Sequence, residues 1–167
     1  MDPNPSLQLC TCGARLTAIE GPIHRYMLST PACWDVYGQV LAREYEDPSR
    51  WRTHRLTVDA YAAQHPGIDT PQARNSVGVH LSRLCLIFDR EWPLERANDA
   101  MLAITAKKFN YPWLSPPATP AGLNVNDILA AEDAARHVAV AEAWARAVWD
   151  SWHDHQNTVR DWLKALK

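Results

Sequence analysis

The chain has 167 residues, 47% of them apolar and 22% charged, a composition typical of one globular domain that buries its own core. The formal net charge is −2, so the charge balance favours neither a nucleic acid nor an anionic membrane as partner. The first residues show no charged region followed by an apolar region of the kind that predicts a signal peptide, and no apolar run approaches about 18 residues. We therefore predict a cytoplasmic protein with no nucleic-acid partner and no membrane partner. Arginine outnumbers lysine by 13 to 4, which indicates a bacterial genome rich in G and C.

Residues 1–30 are interrupted by prolines and glycines and show no sustained hydrophobic period. We predict that they form an irregular N-terminal arm without helix or strand.

Four potential metal ligands, Cys10, Cys12, His24 and Cys33, lie within 24 residues in and just after this arm. In a reducing cytoplasm, unevenly spaced cysteines are more typical of thiols or metal ligands than of disulfides. The single residue between Cys10 and Cys12 is short for zinc, but Gly13 relaxes the turn. These four residues predict a closed, structural zinc site that ties the arm to the first helix. The alternative is that Cys33 is a small buried hydrophobe and the other two cysteines are incidental.

Residues 31–109 are predicted to be helical, with boundaries set by proline. Thr30-Pro31 and Thr70-Pro71 each combine an N-cap with proline at the first helical position. The predicted helices run over about 31–46, 53–64, 71 to the break at Trp92-Pro93, and 94–108.

Residues 110–125 contain four prolines in sixteen positions, which excludes a helix or a central strand. Apolar side chains such as Tyr111 and Leu114 predict that this crossover is ordered and packs on the body. From Ala141 to Leu166, apolar residues then recur every three or four positions, which predicts one helix of about seven turns.

No segment shows the alternation of a half-buried strand. We predict an all-α fold, a helical bundle of five or six helices with an irregular, cysteine-containing N-terminal arm. The whole chain, 1–167, forms a single helical domain. Its parts are the arm (1–30), the helices (31–109), the proline-rich crossover (110–125) and the C-terminal helical segment (126–167).

Histidine and aspartate on the helices form a second group of candidates, led by Asp59, His65 and His80. With an inward-facing His155, they could form a His/His/carboxylate site with an open position, as in catalytic zinc or non-haem iron sites. A histidine beside a carboxylate could also act as a general base without metal. The alternative is that these histidines are hydrogen-bonded core residues, and that His65 simply interacts with the C-terminal end of a helix.

Three arginines, Arg50, Arg52 and Arg55, cluster around Trp51 at the start of the second predicted helix. They could bind an anion, although a solvated helix start is the simpler interpretation.

Several segments together resemble DUF5946, a family of uncharacterised bacterial proteins. The most specific is Asp-Ala-Tyr-x-x-Gln-His-Pro-Gly over residues 59–67. The other matching segments are 10–14, 21–26, 32–34, 79–81 and 112–114, together with the tryptophan-rich last helix. The resemblance implies no reaction. It does imply that the three cysteines, His24, Asp59, His65 and His80 belong to a family pattern.

We therefore predict a zinc-binding helical protein with a structural Cys/His site, and a pocket near Asp59, His65 and His80 that binds a small molecule or carries chemistry. Two alternatives stay open. The first is a non-enzymatic interaction module whose tryptophan-rich last helix docks a protein partner or a second copy. The second is a metal-dependent hydrolase or transferase with its site on the helices.

Overall fold

The computed structural model describes residues 6–107 and 109–166, and within them the fold is predominantly helical. A short β-hairpin pairs strands β1 and β2 antiparallel, with Gln8 opposite Leu16. The elements in chain order are β1 (Leu7–Leu9), β2 (Arg15–Thr17), α1 (Pro31–Glu46), α2 (Pro48–Trp51), α3 (His54–Gln64), α4 (Pro71–Phe88), α5 (Leu94–Ala106), α6 (Val125–Leu129), α7 (Ala134–Ser151), a 3-10 turn (His153–His155) and α8 (Gln156–Trp162).

The all-α prediction is confirmed, and two of its helices begin where the capping signals place them. The Thr30 and Thr70 hydroxyls accept hydrogen bonds from the backbone N–H groups of Cys33 and Ala73, and proline is the first helical residue in both helices. These caps satisfy backbone donors that the first helical turn otherwise leaves unpaired.

The arm and the helix count differ from the sequence expectation. The arm contains a hairpin, but each strand has three residues, mostly exposed, which is too short to show an alternating pattern. The described residues form eight α-helices rather than five or six, because two are single short turns and the long C-terminal helix is interrupted after Ser151. The predicted end of the fourth helix at Lys108 lies outside the described residues, and α5 ends at Ala106.

The core forms where α3 packs against α4 and α7. Trp144, Trp149 and Trp152 are its largest fully buried side chains. The indole N–H of Trp144 donates to the Gln64 side chain at 3.0 Å, and that of Trp152 donates to the Ala63 carbonyl at 3.2 Å. These bonds satisfy the buried indole nitrogens and fix the C-terminal end of α3, which positions the site described below.

The proline-rich crossover lies against the helices. Tyr111 and Leu114 are buried, and the Tyr111 ring packs directly on Gly78 of α4, where a Cβ atom would overlap the ring carbons. None of the helices in the described part of the chain combines the length and the apolar character needed to cross a bilayer.

Candidate metal centre

The hairpin turn carries the first two cysteines of a buried cluster. The Gly13 N–H donates to the Cys10 carbonyl at 2.9 Å, and the Cys10 N–H donates to the Ala14 carbonyl at 2.8 Å. Gly13 adopts φ +88°, a conformation that side-chain-bearing residues rarely take. The tight turn brings Cys10 and Cys12 to the inner side of the hairpin, where they are 3% and 1% exposed.

Cys33 lies in the first turn of α1 and is fully buried. Its backbone N–H is the donor to the Thr30 cap, so the capping geometry that starts α1 also fixes the position of this thiol. The Cys33 Sγ lies 3.8 Å from the Cys12 Sγ and accepts a hydrogen bond from the Tyr61 hydroxyl at 3.6 Å.

His65 follows the last residue of α3 and completes the cluster. Its Nδ1 lies 2.7 Å from the Tyr61 carbonyl oxygen. A carbonyl can only accept, so Nδ1 carries the proton and Nε2 presents its lone pair. Nε2 lies 3.5 Å from the Sγ atoms of both Cys10 and Cys33. A histidine held in this way by a backbone carbonyl is oriented as metal-binding histidines usually are.

Cys10, Cys12, Cys33 and His65 are placed to hold a metal ion, because their ligand atoms all lie within 4.8 Å of one another and all four residues are buried. Among the residues described, this is the one group of three or more such side chains close enough to share an ion.

The three thiols are electrostatically coupled. Hydrogen bonds from the Cys12 and Cys33 thiols strongly lower the pKa of Cys10. The interaction with Cys10, together with burial, raises the pKa of Cys12 to about 12. Interactions with Cys10 and Cys12, together with burial, raise the pKa of Cys33 further still. Ionisation of one thiol therefore disfavours ionisation of the other two. Ionisation of all three would need a cation in their midst.

His24, the fourth ligand expected from the sequence, lies outside the cluster. Its ring contacts Tyr26 and Trp34, with centroid separations of 4.3 and 5.2 Å, and its Nδ1 accepts a hydrogen bond from the Tyr26 N–H at 3.4 Å. Burial lowers its pKa. His24 is close to the cysteines in sequence, but His65 replaces it because the end of α3 packs beside the start of α1 and the hairpin.

The three candidate catalytic residues are separated by the fold. His65 belongs to the cysteine cluster, whereas Asp59 and His80 bond to each other, with 2.8 Å between Asp59 Oδ1 and His80 Nδ1. Asp59 Oδ2 accepts a hydrogen bond from Arg83, a partner that the sequence reasoning missed. His155 is half-buried rather than buried, with its Nε2 2.9 Å from the Ser115 carbonyl oxygen.

A second buried polar group, centred on Glu44, was also missed. The carboxylate accepts hydrogen bonds from the Thr57 hydroxyl at 2.5 Å, from His54 Nδ1 at 2.9 Å and from His137 Nε2 at 2.9 Å. It thereby links α1, α3 and α7 through a residue with no solvent exposure. No sequence signal distinguishes this glutamate from a surface residue of α1.

Three of the four tryptophans of the C-terminal segment are core residues: Trp144, Trp149 and Trp152 are at most 1% exposed. Trp162 is partly buried and packs against Tyr111, with 5.0 Å between the ring centroids. Docking of a protein partner or a second copy on the last helix stays a prediction.

Together, the fold and the cluster define a class: a helical domain whose N-terminal hairpin joins the bundle through a buried Cys3His group. The chain belongs to the family of unknown function DUF5946, which it matches over residues 8–153. Searches of curated proteins and of solved structures gave no match.

Proposed function

We propose that this is a zinc-binding protein in which Cys10, Cys12, Cys33 and His65 hold one zinc ion. The observation that carries the proposal is the convergence of four buried donor atoms from three segments of the chain within 4.8 Å. Three sulfur donors and one imidazole nitrogen form a set typical of structural zinc.

The spacing of the donor atoms supports zinc in particular. A tetrahedron with Zn–S bonds of about 2.3 Å and a Zn–N bond of about 2.0–2.1 Å has S–S edges of about 3.8 Å and S–N edges of about 3.5 Å. The Cys12–Cys33 sulfur separation is 3.8 Å, and His65 Nε2 lies 3.5 Å from each of two sulfurs. Three of the six separations between donor atoms therefore match the edges of a zinc tetrahedron, and all six lie within 4.8 Å.

The role proposed for the ion is structural. Four protein donors fill a tetrahedron and leave no position for water or substrate, unlike catalytic zinc, which keeps one position open. The ion would join the hairpin, through Cys10 and Cys12, to α1 through Cys33 and to the end of α3 through His65. We further propose a bacterial cytoplasmic location, where the four cysteines, free in this structure, would stay reduced.

Elemental analysis of the purified protein and of matched variants tests the proposal. Protein produced with zinc in the medium and purified without chelator is expected to contain one zinc per chain. The Cys12→Ser and His65→Ala variants are expected to lose it, because each lacks one of the four donors. His24→Ala is the matched control, since it removes a half-buried histidine outside the cluster and should retain the zinc.

Two results would contradict the proposal. The first is wild-type protein without stoichiometric zinc. The second is loss of zinc in His24→Ala with retention in His65→Ala, which would assign the fourth ligand to His24.

A further inference from the structure

A second site candidate lies in the cavity of about 280 Å³ between α3, α4 and α5. No ligand of the proposed zinc site lines it. Its polar lining consists of Arg55 and Asp59 from α3, His80 and Arg83 from α4, and Asn98 and Thr105 from α5. The apolar part is supplied by valine, methionine and leucine side chains of the same helices.

Arg83 is the unusual residue of this cavity. It is 4% exposed and forms an ion pair with Asp59 through Nη1 only. Its Nε and Nη2 atoms are buried without a hydrogen-bond partner among the described residues. Burying guanidinium N–H groups without hydrogen bonds costs free energy. These donors are therefore expected to find an acceptor outside the described residues.

Asp59 does not supply that acceptor in this structure, because it contacts Arg83 through Nη1 alone. Oδ1 is bonded to His80 and Oδ2 to Arg83. Arg83 therefore keeps two donor atoms, Nε and Nη2, without a hydrogen bond, although the neighbouring Asp59 carboxylate is bonded through both of its oxygens.

The charge of the lining has the sign that an anion requires. The lining contains two arginines against one aspartate, and no other Asp or Glu is among the lining residues. Arg55 is exposed, and no ion pair holds its guanidinium within the described part of the chain. An exposed guanidinium without an ion-pair partner can bind an oxyanion through two parallel hydrogen bonds.

We propose that this cavity binds a small organic anion, a carboxylate or a phosphate monoester with a short apolar substituent. Arg83 and Arg55 hold the oxyanion, Asn98 adds an amide, and the apolar side chains contact the substituent. Asp59 positions Arg83 and His80 at the wall of the cavity. The site is independent of the zinc centre and does not rest on the function proposed for it.

The test uses the zinc-loaded protein and three probes that share one apolar group: butyrate, monobutyl phosphate and 1-butanol. Titrations followed by two-dimensional NMR are expected to shift amide signals of α3, α4 and α5 with either anion and not with the alcohol. A preference for butyrate identifies a carboxylate site, and a preference for monobutyl phosphate identifies a phosphate-monoester site.

Arg55→Gln is the decisive variant, because Arg55 is exposed and its replacement leaves the buried Asp59–Arg83 pair intact. Loss of its charged hydrogen bonds is expected to weaken anion binding by about ten-fold or more. Arg52→Gln is the matched control, since this exposed arginine lies outside the cavity lining, and it should bind as the wild type does.

The proposal is overturned if neither anion shifts these signals. It is also overturned if 1-butanol binds as well as the anions, or if Arg55→Gln and Arg52→Gln bind alike. None of these outcomes bears on the zinc content, so failure of the anion site and failure of the zinc site are distinguishable.

Discussion

Removal of zinc is expected to open the N-terminal hairpin while the helical body stays folded. The hairpin has little core of its own. Leu7 and Leu9 are 71% and 63% exposed, and the buried apolar side chains between the strands are Cys10, Cys12 and Ala14. A two-stranded hairpin with so little apolar contact is marginally stable in water.

The size of the effect follows from the two opposing contributions. Backbone ordering of residues 7–17 opposes closure of the hairpin, and zinc binding favours it. Zinc at a thousand times its dissociation constant stabilises the bound form by about 4 kcal/mol. Its removal should therefore raise the open population of the hairpin about a thousand-fold.

Hydrogen exchange measured by mass spectrometry, with and without a zinc chelator, gives the readout. Peptides covering 7–17 should lose protection on zinc removal. Peptides from α4, whose Leu81 and Leu84 are fully buried, should keep theirs and serve as the internal reference. Unchanged protection of the hairpin after zinc removal, verified by elemental analysis, would refute the reasoning. Equal loss of protection in α4 would refute it too, because zinc would then hold the whole fold.

Four further predictions concern the helical body, each measured as the change in free energy of unfolding in denaturant. Gly78→Ala should destabilise by about 1–3 kcal/mol, because the new methyl group overlaps the Tyr111 ring. Gly38→Ala should stabilise by about 0.5–1 kcal/mol, because this helical glycine has nothing within 4 Å of the added Cβ. Equal effects of the two glycine substitutions would contradict this packing. Glu44→Ala should cost about 3–5 kcal/mol, since it leaves the buried hydrogen-bond partners of the carboxylate unpaired, and a cost under 1 kcal/mol would show that the group is not a structural link. Thr70→Ala should cost about 1 kcal/mol through loss of the α4 N-cap, and no change would show that the cap is not needed.

The parts of the fold that could be predicted are those determined by neighbours in sequence. A threonine cap followed by proline specifies the start of a helix within four residues, and α1 and α4 begin at Pro31 and Pro71 accordingly. The interruption after Ser151 could not be predicted in this way. The three-or-four-residue spacing of apolar side chains continues across the 3-10 turn to Val159, which is buried, so the sequence pattern is that of one long helix.

The candidate site was predictable only in part, for a related reason. Cys10, Cys12 and Cys33 stand close together in the sequence, and the structure brings all three into one cluster. His65 lies 32 residues beyond Cys33 and reaches the cluster only through the packing of α3 beside α1. Nothing in its local sequence distinguishes a ligand from a histidine at a helix end. The partners of Asp59 and Glu44 come from other helices, so they too depend on tertiary packing.

X-ray absorption at the zinc edge of the purified protein tests the central claim most directly, because it reports the type and distance of the atoms around the metal. We expect three sulfur atoms at about 2.3 Å and one imidazole nitrogen at about 2.0–2.1 Å. The nitrogen shell should disappear in any zinc that His65→Ala retains and persist in His24→Ala. A shell dominated by oxygen and nitrogen, or one with fewer than three sulfurs, would contradict the account.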